Sequence, residues 1–152
     1  FEAALYSGIR LAGPAEKYTA PIHQFARYLG VAFQILNDLK DWQTDRDNKL
    51  TPNGDILGGR PTILLALALE NLNTTDQNRL LEILSLETIC TAKVDQVRKL
   101  YVQADVFRKA QLLIDRHQVR AEKVASELTP IDFRRLASYL IDTILRRTAE
   151  LE

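Results

Sequence analysis

Apolar residues recur every three or four positions along most of the chain, which is the period of amphipathic α-helices. The period is clearest in a helix predicted from about Ile22 to Trp42, whose repeating apolar residues are Ile22, Phe25, Ala26, Leu29, Ala32, Phe33 and Leu36. Pro21 suits the first position of this helix, with Thr19 as its cap. Gly30 lies mid-helix, where glycine costs about 1 kcal/mol relative to alanine, so we expect a close backbone approach there.

Turn and capping residues divide the rest of the chain into further predicted helices. These helices begin near Phe1, Thr62, Thr74, Thr88, Val106 and Pro130. Gly13-Pro14 ends the first of them, and we expect a break near Asp105. No β-hairpin signal or internal repeat accompanies this pattern. The sequence therefore predicts an all-α helical bundle, with residues 1–152 forming a single domain.

Composition narrows the class of protein. The chain has 152 residues, 46% of them hydrophobic and 26% charged, which is typical of a globular protein with a real core. Its 20 basic and 20 acidic residues cancel, which gives no support for nucleic-acid binding. The single cysteine, Cys90, excludes an internal disulfide and favours a reducing, cytoplasmic location. No apolar run approaches the roughly 20 residues of a membrane span, so we expect no stable membrane insertion.

A stripe of polar side chains runs along the helix predicted at residues 22–42. Its members, at positions i, i+3, i+4, i+7 and i+11, are Gln34, Asn37, Asp38, Asp41 and Asp45. Carboxylates one helical turn apart can share a hard cation such as Mg²⁺, which prefers oxygen ligands and often bridges to substrate phosphates. The same spacing is also typical of an ordinary solvated helix face, so the stripe alone leaves both interpretations open.

The segment after the stripe, residues 43–61, is a long predicted loop rich in glycine and proline. Loops of this length in compact domains are usually functional or mobile. Lys49 and Arg60 are its natural phosphate ligands, because cations neutralise diphosphate charge and arginine can do so bidentately. Ordinary solvated loop cations are the alternative. The two histidines, His23 and His117, are predicted to lie at the surface.

The stripe and the loop together resemble the second aspartate-rich motif of the trans-isoprenyl diphosphate synthases, or polyprenyl synthetases. The matching pieces are F-Q-x-x-[DN]-D-x-x-D at residues 33–41, Asn48-Lys49, Gly54-Asp55-Ile56 and Gly59-Arg60-Pro61-Thr62. The resemblance implies the isoprenoid synthase fold, of which this chain would be the C-terminal half. The chain contains no methionine and opens inside a predicted helix, so we expect it to be a fragment of a longer synthase.

The resemblance implies a prenyltransferase of isoprenoid biosynthesis. Such enzymes join isopentenyl diphosphate head to tail to an allylic diphosphate with Mg²⁺, giving products such as farnesyl or geranylgeranyl diphosphate. It also implies a homodimer as the full-length protein. The first aspartate-rich motif of the family would lie upstream, so we expect the fragment alone to be inactive. Product chain length is not determined by this part of a synthase.

Residue roles follow from the same resemblance. Asn37, Asp38 and Asp41 would bind the metal, and Gln34 would join the two aspartates in catalysis. The substrate-binding residues would be Phe33, Lys49 and Arg60.

Two departures from the family pattern favour an alternative. Asn37 stands where the family most often has aspartate, and Arg60 where it commonly has lysine. A non-catalytic helical subunit of a heteromeric prenyl synthase would tolerate these two substitutions. A structural module with a solvated aspartate stripe is the remaining alternative.

Overall fold

The computed structural model describes residues 1–42, 60–86 and 91–146. In these ranges the chain is helical and contains no β-strand, which confirms the all-α prediction. The α-helices are α1 (Glu2–Ala12), α2 (Thr19–Lys40), α3 (Ile63–Asn71), α4 (Thr74–Leu84), α5 (Thr91–Gln103), α6 (Val106–Glu127) and α7 (Ile131–Ile144). The predictions for Asp45, Lys49, Cys90 and most of the 43–61 loop lie outside the described residues.

Local chemistry at the helix ends differs from the sequence prediction at the start of α2. A 3₁₀ turn, Glu16–Tyr18, leads directly into α2, so Thr19 is the first residue of the helix and not its cap. At α4 the cap is Asn73, whose side chain accepts a hydrogen bond from the Asp76 N–H at 2.9 Å. The break expected near Asp105 is confirmed, because this residue adopts φ 57° between α5 and α6.

The chain folds as two compact units, and the first comprises residues 1–34 and 113–152. Its core consists of buried side chains from α2, α6 and α7: Ile22, Phe25, Ala26, Leu29, Ile114, Ala121, Ala125, Ala137 and Ile141. By contrast, α1 contributes no buried residue, and Leu11 is 91% exposed. His23 is exposed and contacts the Glu2 carboxylate at 3.1 Å, which agrees with the predicted surface position.

The second unit comprises residues 35–112. Here α3 supplies Leu64, Leu67 and Ala68 to the core, as its apolar sequence predicts. Helices α3 and α4 both pack on α5. Three aromatic rings fill one part of this core: Trp42 lies 5.0 Å from Tyr101 and 5.9 Å from Phe107, measured between ring centroids.

None of the helices in the described ranges combines the length and apolar character that crossing a membrane requires.

Gly30 offers a test of helix propensity in α2. Among the described residues, a Cβ atom built on Gly30 would meet only the Phe1 side chain, at 3.5 Å, which is ordinary van der Waals contact. The close backbone approach predicted from the sequence is therefore not found among the described residues. Gly30→Ala should raise the free energy of unfolding by about 0.5–1 kcal/mol, since alanine loses less backbone entropy in a helix.

Urea unfolding of the full-length protein measures this change. Gly13→Ala is the matched contrast, because Gly13 has φ 147° and a side chain there is strained. It should lower stability. A loss of stability in Gly30→Ala would show instead that another part of the protein approaches this position.

His117 is less exposed than the sequence predicts. Its ring lies 5.9 Å from that of Tyr28, and its Nδ1 atom is buried without a hydrogen-bond partner in the described part of the chain. Burial lowers the pKa of His117 below its ordinary value, and the positive charges of Arg120, Arg116 and Arg27 lower it further. The folded state therefore favours the neutral imidazole.

This lowered pKa predicts that acid destabilises the protein. Between the folded pKa of His117 and the unfolded value near 6.5, the unfolded chain binds more protons, so stability falls as pH decreases through that window. Thermal unfolding from pH 7.5 to 5 should show this fall, and His117→Gln should flatten it. An unchanged pH profile in the variant would contradict the assignment to His117.

Candidate metal site

The two aspartates at the end of α2 are buried. Asp38 is 4% exposed and Asp41 is 8% exposed, whereas Asn37, on the same turn, is half-buried. A buried carboxylate is costly unless it is hydrogen-bonded, paired or bound to a metal. These two side chains are therefore not part of a solvated face, which contradicts that alternative interpretation of the stripe for Asp38 and Asp41.

Asp38 is anchored by the start of α3. Its Oδ2 atom accepts a hydrogen bond from the Ile63 N–H at 3.3 Å. Ile63 is the first residue of α3, where N–H groups have no partner inside the helix and carry partial positive charge. Thr62 caps the same helix, because its Oγ1 accepts from the Leu65 N–H at 3.3 Å. The carboxylate is thus held by a rigid helix end.

Tyr101 of α5 completes this arrangement. Its side chain is 1% exposed, and its ring centroid lies 5.0 Å from that of Trp42. Burial raises the pKa of Tyr101 well above its usual value, and the Asp38 charge raises it further. The phenol therefore stays neutral at physiological pH, and it adds no negative charge beside Asp38.

Arg98, also on α5, holds the end of the chain segment that carries Asp41. Its guanidinium donates to the Trp42 carbonyl oxygen at 2.7 Å and lies 5.5 Å from the centre of the Trp42 ring. A cation at a helix C-terminal end is favourable because the last carbonyls are unpaired and partially negative. This contact fixes the residue directly after Asp41.

The other predicted site residues lie in different surroundings. Arg60 is exposed and lies shortly before Ile63 in the chain. The Ile63 N–H is the donor to Asp38. Phe33 and Gln34 belong to the first unit: Phe33 is half-buried, with its ring edge-on to Phe1 at 5.7 Å, and Gln34 is exposed. Lys49 lies outside the described residues.

The donor set fits a cation that binds together with a phosphate-bearing ligand. Residues 1–42, 60–86 and 91–146 contain no cluster of three His, Cys, Asp or Glu side chains able to enclose a metal by themselves. Asp38 and Asp41 provide two carboxylates, and Asn37 an amide oxygen. Mg²⁺ characteristically takes one or two carboxylates and completes its shell with water and phosphate oxygens. These residues can therefore supply part of a magnesium site.

Sequence reasoning did not find the supporting residues Tyr101 and Arg98. In the sequence, Tyr101 is one of the apolar residues that recur with the helical period. Arg98 is a charged residue between two of those apolar residues. Their common partner, Trp42, is distant in sequence, 56 residues from Arg98. A single sequence contains no signal for such pairs.

Comparison with known proteins identifies the family. The polyprenyl synthetase family profile matches residues 1–101, which include both aspartates, Arg60 and Tyr101. The chain belongs to the polyprenyl synthetase family. The resemblance predicted from the aspartate-rich motif is thereby confirmed.

Among its relatives, an all-trans-nonaprenyl-diphosphate synthase (geranyl-diphosphate specific) from Rhodobacter capsulatus is 37% identical over 98 residues, which cover 64% of this chain and 29% of that protein. The geranylgeranyl pyrophosphate synthase of Lactobacillus brevis, solved with citrate, aligns with a TM-score of 0.80 at 22% identity, over 97% of this chain and 47% of that one. The geranylgeranyl pyrophosphate synthase of Corynebacterium glutamicum, solved with calcium and isoprenyl diphosphate, aligns with a TM-score of 0.69 at 24% identity, over 94% and 46%.

These similarities confirm the isoprenoid synthase fold for the described helices. The chain spans about half the length of the solved synthases and under a third of the Rhodobacter relative.

The contact at Trp42 gives a stability prediction. Arg98→Met keeps the aliphatic stem but removes the charged hydrogen bond to the Trp42 carbonyl, so the free energy of unfolding should fall by about 2 kcal/mol. Arg108→Met is the control, because Arg108 pairs with Asp105 at an exposed position where such pairs contribute about 0–1 kcal/mol. Chemical unfolding of the full-length protein measures both. Equal losses in the two variants would show that the Arg98 hydrogen bond contributes no more to the free energy of unfolding than an exposed ion pair.

Proposed function

We propose that the protein, in its natural length, is a trans-prenyltransferase that condenses isopentenyl diphosphate head to tail with an allylic diphosphate in a Mg²⁺-dependent reaction. One observation carries this proposal. In a chain of the polyprenyl synthetase family, Asp38 and Asp41 are buried one turn apart, and Asp38 is held against the start of a helix.

The proposed roles follow from the chemistry of the side chains. Asp38 and Asp41, with Asn37, would hold Mg²⁺, which stabilises the negative charge that develops on a departing diphosphate. Arg60 is exposed at the end of the loop and so can reach a diphosphate, and Lys49 is proposed to do the same.

Gln34 and Phe33 have roles toward the hydrocarbon part of the substrate in this proposal. The amide dipole of Gln34 would face the allylic cation, and the Phe33 ring would line the cavity that excludes water from it.

Two relatives support the choice of substrates. The Rhodobacter protein bears the name of an all-trans prenyl diphosphate synthase, and the Corynebacterium structure contains calcium together with isoprenyl diphosphate. We further propose that residues 1–152 are one helical domain of a longer, cytoplasmic, homodimeric synthase. On this proposal the 152-residue chain alone is inactive, because its aspartates supply only part of the metal ligands.

A second candidate function is a non-catalytic subunit of a heteromeric prenyl synthase. The amide at Asn37 favours it, because replacing a carboxylate by an amide removes one negative charge from the proposed metal ligands.

The deciding experiment is prenyl transfer by the full-length protein. Labelled isopentenyl diphosphate and Mg²⁺ would be supplied with dimethylallyl, geranyl or farnesyl diphosphate in turn. Longer labelled products are expected, and Asp38→Ala should lower their rate of formation by about a hundredfold or more, as for loss of one group that stabilises a transition-state charge. Asp95→Ala, which changes an exposed aspartate in the same unit, should leave the rate unchanged.

The absence of product with every allylic partner, in a folded full-length protein, would favour the non-catalytic subunit. Turnover by the isolated 152-residue chain would contradict the proposal that it is inactive.

A further inference from the structure

We propose that Arg27, Arg116 and Arg120 form a binding site for a phosphate group, apart from the candidate metal site. The site lies where α2 and α6 touch, beside the Tyr28 and His117 rings. All of these residues belong to the first unit, whereas the aspartates of the candidate metal site belong to the second. The inference goes beyond the proposed function, because it requires neither a metal nor prenyl transfer.

An aromatic contact joins the two helices at this place. The Tyr28 ring of α2 lies 5.9 Å from the His117 ring of α6, measured between centroids. The guanidinium carbon of Arg120 lies 5.8 Å from the centre of the Tyr28 ring, within the range of a cation–π contact. This contact positions the guanidinium without neutralising its charge, so its N–H donors can still bind an anion.

Two further arginines lie next to this contact. Arg116 directly precedes His117 and is one helical turn from Arg120, so the two arginines are neighbours on α6. Arg27 directly precedes Tyr28 on α2. The three arginines are exposed, and none of them forms an ion pair within residues 1–42, 60–86 and 91–146. Three positive charges therefore collect here without a protein carboxylate to balance them.

The acidic residues of this part of α6 lie on its other flank. Asp115 borders a groove that Ile141 and Asp142 of α7 also line. Gln118 borders the same groove, and its amide donates a hydrogen bond to the Glu122 carboxylate at 2.8 Å. The carboxylates are thus on the α7 side of the helix, whereas the cation–π contact is on the α2 side. This separation leaves the arginine side for an external anion.

His117 supports the same interpretation. Its Nδ1 atom is buried and has no hydrogen-bond partner in the described part of the chain. Buried polar atoms are usually paired with protein, water or ligand, so this atom is available to a further group. The pKa of His117 is lowered first by burial and then by the charges of all three arginines. An anion bound among the arginines would offset those charges.

The number of cations favours a phosphate over a carboxylate. A phosphate ester carries three acceptor oxygens and about two negative charges near neutral pH, whereas a carboxylate has two oxygens and one charge. Arginine also binds phosphate through two N–H donors at once. The phosphate can belong to a soluble diphosphate or to the headgroup of an anionic lipid, and the test separates these two sources.

The test measures binding by the full-length protein in the presence of EDTA, so that no metal takes part. One arm titrates inorganic diphosphate and records the dissociation constant by calorimetry and the rise in Tm. The other arm measures co-sedimentation with phosphatidylcholine vesicles that contain phosphatidic acid, against vesicles of phosphatidylcholine alone. Binding in the first arm identifies a soluble ligand, and binding only in the second identifies a lipid headgroup.

A double variant, Arg116→Gln with Arg120→Gln, removes two of the three cations. It should weaken binding about tenfold or more in the arm in which the wild type binds, the size expected for loss of charged hydrogen bonds. The matched control is Arg10→Gln with Arg135→Gln, which removes the same charge from the same unit. Those two arginines are exposed and already paired with carboxylates, so the control should bind as the wild type does.

Two single variants separate this site from the candidate metal site. Asp38→Ala and Arg60→Gln should both keep the binding measured in EDTA, because neither residue belongs to the first unit. Loss of that binding in either variant would place the phosphate elsewhere and overturn the proposal.

Absence of binding in both arms would overturn the proposal, and so would equal losses in the double variant and its matched control. If the double variant does not fold, Arg120→Gln compared with Arg135→Gln decides by the same criterion. Neither arm involves metal or turnover. A failure here therefore leaves the proposed function standing, and a full-length protein without prenyl transfer leaves this inference standing.

Discussion

Asp38 is a carboxylate placed where almost no water reaches it, and this burial constrains the second unit around it. A charged group in such a place must have polar partners, or folding would carry a large desolvation cost. The start of α3 provides one of them, the Ile63 N–H. The end of α2 and the start of α3 are therefore joined by an interaction that neither helix could replace with an apolar contact.

Helix α5 supports the α2 end of this junction. Arg98 and Tyr101 lie one turn apart, on one side of the helix. Arg98 donates a hydrogen bond to the carbonyl oxygen of Trp42, directly after Asp41, and the Tyr101 ring packs against the Trp42 ring. The apolar core of the unit thus continues into polar contacts at the ends of helices. Sites built on helices hold side chains more precisely than sites built on loops.

In the proposed function, the metal ligands among the described residues are incomplete by themselves, which has a consequence for binding. Asp38 and Asp41 with Asn37 leave coordination positions that Mg²⁺ would fill with water or phosphate oxygens. A cation held in this way binds best when a diphosphate is present, and each then increases the affinity for the other. The amide at Asn37 makes this mutual dependence stronger, because it removes one charge that would bind the metal alone.

Helical periodicity and turn chemistry act between residues close in the chain, so the amino-acid sequence alone predicts the helices and the spacing of the aspartates. It placed Asp38 and Asp41 one turn apart and pointed to their family. It could not show that these carboxylates are buried, that His117 is partly buried, or that Arg98 bonds the Trp42 carbonyl. Those features depend on contacts between distant segments, which only the packing of the helices decides.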